Sequence, residues 1–198
     1  ADHEALLDGV TGVFMTGGDQ MRLVSLLGGT KFADLLRKMV RDTQIVLAGT
    51  SAGAAGMSTS MIVRGESTSH PHRNSVSLSP GLGFLKNIII DQHFTERGRI
   101  SRLITAVSYN PYNLGIGIDE NTAIILNGKG TLEVFGQGST TVVDGSQITF
   151  NEIAEVADHE AFSVCGVQLH VLRDGLVYDY RERHPLQPPM EFLLPDLG

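Results

Sequence analysis

The sequence predicts an α/β fold in a single domain over residues 1–198: a mostly parallel sheet flanked by helices, with antiparallel β-hairpins added on the C-terminal side. Three observations predict it. Short β-prone runs, "GVFMT", "QIVLAG", "NIIID" and "LGIGID", alternate with amphipathic helical stretches up to residue 118. The later three of those runs are apolar nearly throughout, as in strands covered on both faces. From residue 122 the pattern changes to paired short strands around Asn-Gly and Asp-Gly.

Taken in order, "GVFMT" at 12–16 reads as a strand ending in the loop "GGDQ", and "MRLVSLLGG" as a helix with a glycine stop. Thr30 caps a second helix, "KFADLLRKMVRD", whose Phe32, Leu35, Leu36 and Met39 share one face. "QIVLAG" is the next strand, and it runs into a small-residue helix, "AAGMSTS". Residues 64–83, "RGESTSHPHRNSVSLSPGLG", read as a long exposed connection of the kind that often carries function. "NIIID", the helix "GRISRLITAVSYN" and the strand "LGIGID" follow. Two hairpins are expected next, "AIILNGKGTLEVFG" turning at Asn127-Gly128 and "VQLHVLRDGLVYDY" turning at Asp174-Gly175. The proline-rich end, "HPLQPPMEFLLPDLG", reads as a tail.

Composition narrows the function classes. With 41% hydrophobic and 19% charged residues the chain can bury one sizeable core. A formal charge of −7 opposes a nucleic-acid surface, and no apolar run approaches the ~20 residues needed to span a bilayer. No basic-then-apolar leader opens the sequence, so the expectation is a cytoplasmic protein with neither nucleic-acid nor membrane partner. Cys165 is the single cysteine, which rules out an internal disulfide framework; its setting, "FSVCGVQL", predicts a buried structural thiol. No cofactor and no metal site are expected, and His70 and His72 read as part of a surface loop.

The chemistry concentrates in Gly49-Thr50-Ser51-Ala52-Gly53, a G-x-S-x-G sequence placed between an apolar strand and a small-residue helix. A sharp strand-to-helix turn tolerates only small neighbours and lifts the serine hydroxyl clear of the sheet. A serine nucleophile needs a base, usually a histidine oriented by a carboxylate. His93 directly follows the apolar run of "IIIDQHF", and Asp119 and Glu120 follow the next strand. The carboxyl ends of parallel strands share one crevice, so these residues can meet Ser51 there. Consecutive strand residues point to opposite faces, so only one of Asp119 and Glu120 faces His93, and the residues alone leave that choice open. The order serine, histidine, acid differs from the serine, acid, histidine order of α/β-hydrolases, which would have to recruit His159 or His170.

These segments together, "FMTGGDQ", "LAGTSAGAAGMS", "SPGLGFL", "DQHFTERGRISRL" and "GIGIDENTA", resemble the cyanophycinases, serine peptidases related to aspartyl dipeptidase (peptidase E). The resemblance implies Ser51 as nucleophile, His93 as base and Glu120 as acid, with a homodimeric assembly. It implies hydrolysis of cyanophycin, a poly-aspartate backbone with arginine on each β-carboxyl, to β-Asp-Arg dipeptides. A β-aspartyl acyl transfer would develop oxyanion charge that the N–H groups of Ala52 and Gly18 can meet. Asp19 and Gln20 lie beside that loop, and the family pattern carries substrate binding over to Gln20, Asp91, Gln92, Arg97, Arg99 and Arg102. Guanidinium groups suit the free carboxylates of such a substrate. Two alternatives remain: a peptidase E-type dipeptidase, and a non-catalytic binding or assembly homologue. Against the family pattern, the chain lacks additional βα units before "GGDQ". The expectation is an exposed apolar flank, and lower stability than a complete domain unless another chain covers it.

Overall fold

A computed structural model describes residues 3–42 and 44–186. Its elements in chain order are α1 (His3–Leu7), β1 (Gly12–Met15), α2 (Gln20–Leu27), α3 (Lys31–Arg41), β2 (Val46–Gly49), α4 (Ala52–Ala55), β3 (Ser60–Gly65), β4 (Val76–Pro80) and β5 (Ile88–Gln92). Next come α5 (Ile100–Tyr109), β6 (Leu114–Ile118), β7 (Thr122–Leu126), β8 (Thr131–Gly136), β9 (Thr140–Asp144) and β10 (Phe150–Asn151). The described chain closes with β11 (Val164–Cys165), β12 (Gln168–Leu172), β13 (Val177–Asp179) and β14 (His184–Leu186).

Helix α3 starts where Thr30 is expected to cap it, and α2 begins one residue before Met21, capped by Asp19, which the sequence reading placed in the loop. The Asp19 carboxylate accepts from Arg22 N–H at the head of α2, and Thr30 Oγ1 accepts from Ala33 N–H at the head of α3. One face of α3, with Leu36 buried and Phe32, Leu35 and Met39 beside it, packs with Leu7 and Ile45 against Val13 and Leu47 of the β1–β2 pair. The opposite face of that pair is open: Phe14 is 63% and Val46 72% exposed. An apolar flank therefore faces solvent on this side of the molecule, although β2 reads as a doubly covered strand.

The centre is a four-stranded sheet in the order β12-β9-β6-β5. Along β5, Ile88 and Ile90 point one way and Ile89 the other, the period-two alternation that lets one strand serve two cores. Ile88, Ile90, Leu114, Ile116 and Val142 pack against Leu132, Val134 and Tyr178 of a second sheet, ordered β14-β13-β8-β7. Ile89 and Val143 pack against Leu103, Ala106 and Val107 of α5 and Ile62 and Val76 of the β3–β4 hairpin. On that face β6 presents Gly115 and Gly117, and a Cβ at Gly117 would lie 2.4 Å from the Phe94 ring. The missing side chain lets Phe94 lie flat on the strand, which fixes the backbone next to His93.

The single mostly parallel sheet is corrected to several small sheets, of which β12-β9-β6-β5 is mixed. Among the described strands only β1–β2 and β5–β6 pair in parallel, and these two pairs belong to different sheets. After β6 every described pairing is antiparallel, and β7 and β8, joined by a short turn, can pair only that way. β7 and β8 form the expected hairpin, but its turn spans Asn127 to Gly130, with Gly130 rather than Gly128 in the left-handed region (φ 103°). Asn127 Oδ1 holds that turn by accepting from Lys129 and Thr131 N–H. Asp174-Gly175 does turn the chain, yet β12 pairs with β9 and β13 with β8 and β14, so the turn crosses between sheets.

Residues 64–83 are not one long connection. β3 and β4 form an antiparallel hairpin with a bulge between Ile62 and Arg64, leaving residues 66–75 as its loop. Helix α4 is a single turn, because the chain must re-enter β3 five residues later. Cys165 is exposed rather than buried, since β11 is a two-residue pairing with β10 at the periphery. From residue 187 onward the proline-rich tail lies outside the described residues. No helix among the described residues is long and apolar enough to cross a membrane.

Candidate active site

Strand β2 ends at Gly49, and two residues later Ser51 sits at φ 50°, ψ −115°, at the head of α4. Such a conformation is strained for a side chain with Cβ and survives only where neighbours enforce it. The enforcement is visible in the flanking glycines. A Cβ on Gly53 would lie 2.2 Å from the Met15 carbonyl oxygen, and one on Gly49 would lie 2.7 Å from the Gly53 carbonyl carbon. The first and last residues of the G-x-S-x-G sequence thus let β1, β2 and α4 touch through bare backbone. Thr50 N–H donates to Met15 O and Gly53 N–H to Thr50 O, which closes the turn.

Ser51 Oγ lies 3.1 Å from His93 Nε2, and His93 Nδ1 lies 2.8 Å from Glu120 Oε1. With the ring proton on Nδ1, that nitrogen donates to the carboxylate and Nε2 accepts from the serine hydroxyl. His93 (φ 49°) and Asn121 (φ 52°) share the left-handed conformation of Ser51, so all three chain segments turn sharply at one place. Parallel pairing of β5 with β6, which aligns Gln92 with Ile118, brings His93 and Glu120 to the same edge.

The structure separates the two carboxylates that the sequence left open. Asp119 points away from His93 and accepts from Thr95 N–H (3.0 Å), Ser139 N–H (3.0 Å) and Ser139 Oγ (2.7 Å). Burial works to raise its pKa, but the hydrogen bonds from Thr95 and Ser139 outweigh it and hold the carboxyl below its ordinary value. Glu120, half exposed, keeps its carboxylate on the imidazole, and its own N–H donates to Glu96 Oε1 at 3.0 Å. Glu96 escaped the sequence reading; the available signal was a carboxylate within "HFTERGR", three residues after the histidine.

Ala52 heads α4, where the first N–H groups have no intrahelical acceptor, and its residue is 1% exposed. Gly18 is exposed with φ 137°, and a Cβ on its neighbour Gly17 would lie 3.4 Å from Ser51 Cβ. Asp19 caps α2, and Gln20 Nε2 donates to Ile62 O (3.2 Å) and Val63 O (3.1 Å), tying the "GGDQ" loop to β3.

Of the expected substrate-binding residues, three form a closed network instead of an open lining. Asp91 is 1% exposed and is clasped by Arg102, through Nε at 2.6 Å and through Nη2, and by Arg99 Nη1 at 3.2 Å. A carboxylate so enclosed acts as an internal counterion, which corrects its reading as a ligand contact. Arg102 also reaches Gly65 O (3.2 Å), and Arg99 also donates to the backbone carbonyl and Oε1 of Gln92. Burial pushes the Arg99 guanidinium below its ordinary pKa; Asp91 opposes this, while the charges of Arg102 and Arg97 add to the fall. Arg99 Nε is buried without a partner among the described residues, so this side chain retains one unused donor. Arg97 is exposed and lies in the turn between His93 and α5.

His170 stands mid-strand in β12 with its ring 5.3 Å from that of Tyr178, and His159 sits in a turn beside the β3–β4 loop. Neither histidine is in the Ser51 hydrogen-bond chain. His70 and His72 stack on each other at 4.3 Å, and no group of three or more potential metal ligands occurs among the described residues.

A sequence profile described as peptidase family S51 matches residues 1–134. A protein named cyanophycinase from Synechococcus elongatus is 44% identical over 177 residues, 89% of this chain and 55% of its own length. A cyanophycinase from Nostoc sp. is 44% identical over 172 residues, 87% of this chain and 58% of its own. One from Geminocystis herdmanii is 38% identical over 185 residues, 93% of this chain and 68% of its own. The chain thus spans little more than half the length of most of these relatives.

Proposed function

The chain belongs to peptidase family S51, and from that premise we propose that it is a serine exo-peptidase that hydrolyses cyanophycin to β-Asp-Arg dipeptides. The observation that carries this reading is the continuous chain Ser51 Oγ, His93 Nε2, His93 Nδ1, Glu120 Oε1, at 3.1 and 2.8 Å. Relatives bearing the cyanophycinase name supply the substrate. Its free carboxylates match a site edge that holds the exposed guanidinium of Arg97.

In this mechanism Ser51 Oγ attacks the scissile carbonyl carbon while His93 Nε2 takes its proton. The carbonyl π bond opens to an oxyanion, received by the N–H of Ala52 and of Gly18. Glu120 stabilises the imidazolium that forms and keeps the ring in the productive tautomer. The C–N bond then breaks, the leaving amine takes the proton from His93, and an ester to Ser51 remains. Water attacks that ester with His93 again as base. The Ser51 oxygen leaves and recovers its proton from the imidazolium, so the enzyme is restored and one water is consumed. No metal or organic cofactor enters these steps.

Incubating the protein with insoluble cyanophycin and, separately, with Asp-X dipeptides, then identifying products by mass, tests the reading. Soluble β-Asp-Arg that disappears in Ser51→Ala supports it. Hydrolysis of Asp-X dipeptides alone would replace it with a peptidase E-type activity, and no turnover of either would leave a binding or assembly role. A homodimer and a cytoplasmic location belong to the same proposal, checked by sedimentation and by fractionation of the native host.

A further inference from the structure

We infer that the cleft between the β3–β4 hairpin and the His159 turn is a subsite for a second, zwitterionic unit of the substrate, one that carries both a carboxylate and a guanidinium. The inference deepens the proposed function and rests on it. The cleft encloses about 360 Å³, which is within the range of small-ligand sites, ~300–1,000 Å³. Arg64, Glu66, Thr68, His72, Asn74 and His159 line it.

Its charges are what distinguish it. The buried Asp91, Arg99 and Arg102 are consumed by one another, and Arg73 is held by Asp158 and two backbone carbonyls. Arg64 and Glu66 are both exposed, and neither side chain has a hydrogen-bond or ion-pair partner among the described residues. Arg64 lies near the end of β3 and Glu66 directly follows the strand's last residue, Gly65; both line the cleft, yet they do not pair with each other. A cleft that offers one free cation and one free anion complements a ligand that presents both charges. It gives no net advantage to a simple anion or cation. Each cyanophycin unit presents such a pair: the free carboxylate and the guanidinium of its arginine.

The location is tied to the catalytic edge on two sides. Gln20, at the end of the "GGDQ" loop, is bonded to Ile62 O and Val63 O, immediately before Arg64. Arg102 bonds both Gly65 O, between the two charged residues, and Asp91, two residues before His93. The cleft is therefore tied by direct hydrogen bonds to the segment that carries Gln20 and, through Arg102, to Asp91 of β5.

The test is calorimetric, on the Ser51→Ala protein so that binding is separated from turnover, with β-Asp-Arg and the two-unit (β-Asp-Arg)₂ as probes. The two-unit probe is expected to bind more tightly than the single unit. Arg64→Ala and Glu66→Gln, both exposed and checked for folding by circular dichroism, should each weaken it about ten-fold while leaving the single unit unchanged. Unchanged two-unit affinity in both folded variants overturns the subsite, even if the wild type hydrolyses cyanophycin. A ten-fold loss in a protein whose wild type does not hydrolyse the polymer would uphold the subsite and remove only the peptidase reading.

Discussion

Asp119 and Glu120 are consecutive, yet their carboxylates serve opposite faces of one strand end. Asp119 takes three hydrogen bonds from Thr95 and Ser139, and Glu120 takes the imidazole of His93 at 2.8 Å. One is a structural fastening and the other a candidate orienting acid. Substitutions at the two should therefore fail in different ways.

Glu120→Gln removes the charge that would stabilise an imidazolium and invites the other tautomer of His93. Turnover should fall about 10²- to 10⁴-fold. The melting temperature should move by no more than a few degrees, because the carboxylate is half exposed. Steady-state kinetics beside a thermal melt would check both; an activity within three-fold of wild type would remove Glu120 from the mechanism.

Asp119→Asn places an amide NH₂ where two N–H donors and a hydroxyl converge, at a cost of about 1–3 kcal/mol at neutral pH. The pH dependence follows from its depressed pKa. The stabilisation is present above the unfolded value of about 3.9 and is lost as pH falls through the lower folded value. Urea midpoints measured at pH 5 and pH 2.5 should therefore drop further for wild type than for the variant. Equal drops would contradict the assignment.

Gly53→Ala forces a Cβ against the Met15 carbonyl oxygen, 2.2 Å away, where both partners are backbone. The elbow must shift or the fold must strain, at about 1–3 kcal/mol or more. Denaturant unfolding should show the loss, and a fluorophosphonate probe should label Ser51 far more slowly than in wild type.

Arg102→Ala leaves the Asp91 carboxylate buried with one partner fewer, a change of the class that costs about 3–5 kcal/mol. Arg97→Ala, on an exposed side chain, should leave stability within about 0.5 kcal/mol and act through KM alone. Chemical denaturation distinguishes them. If Arg102→Ala were as stable as Arg97→Ala, the closed network would not be a structural element.

Much of the site was legible in the sequence because its geometry is local. A strand that ends in G-x-S-x-G can do little other than turn, and Gly49 is explained by the close approach of Gly53 four residues on, although Gly53 is required by Met15 of the neighbouring strand. His93 and the Asp119-Glu120 pair stood out because they follow apolar runs, and parallel pairing of β5 and β6 places those strand ends together; the choice of Glu120 rested on the family resemblance. The strands and the two capped helices were legible for the same reason, since periodicity and capping depend on neighbours in the chain.

What the sequence did not carry was the partnership of segments distant along it. Runs read as strands of one parallel sheet were sorted by tertiary pairing into separate sheets, β2 with β1 and β5 and β6 with antiparallel partners, and Asp174-Gly175 became a crossing between sheets. Within the serine-rich 64–83 segment, β4 paired back onto β3, most of which precedes it. Asp91, Arg99 and Arg102, indistinguishable from surface charges in a string of letters, were drawn into one buried network. By itself the sequence determined which residues stand at strand ends and how the elbow bends. Only the tertiary structure decided which charges are spent on one another and which remain free, because charge pairing depends on distances that the fold creates between segments far apart in the chain.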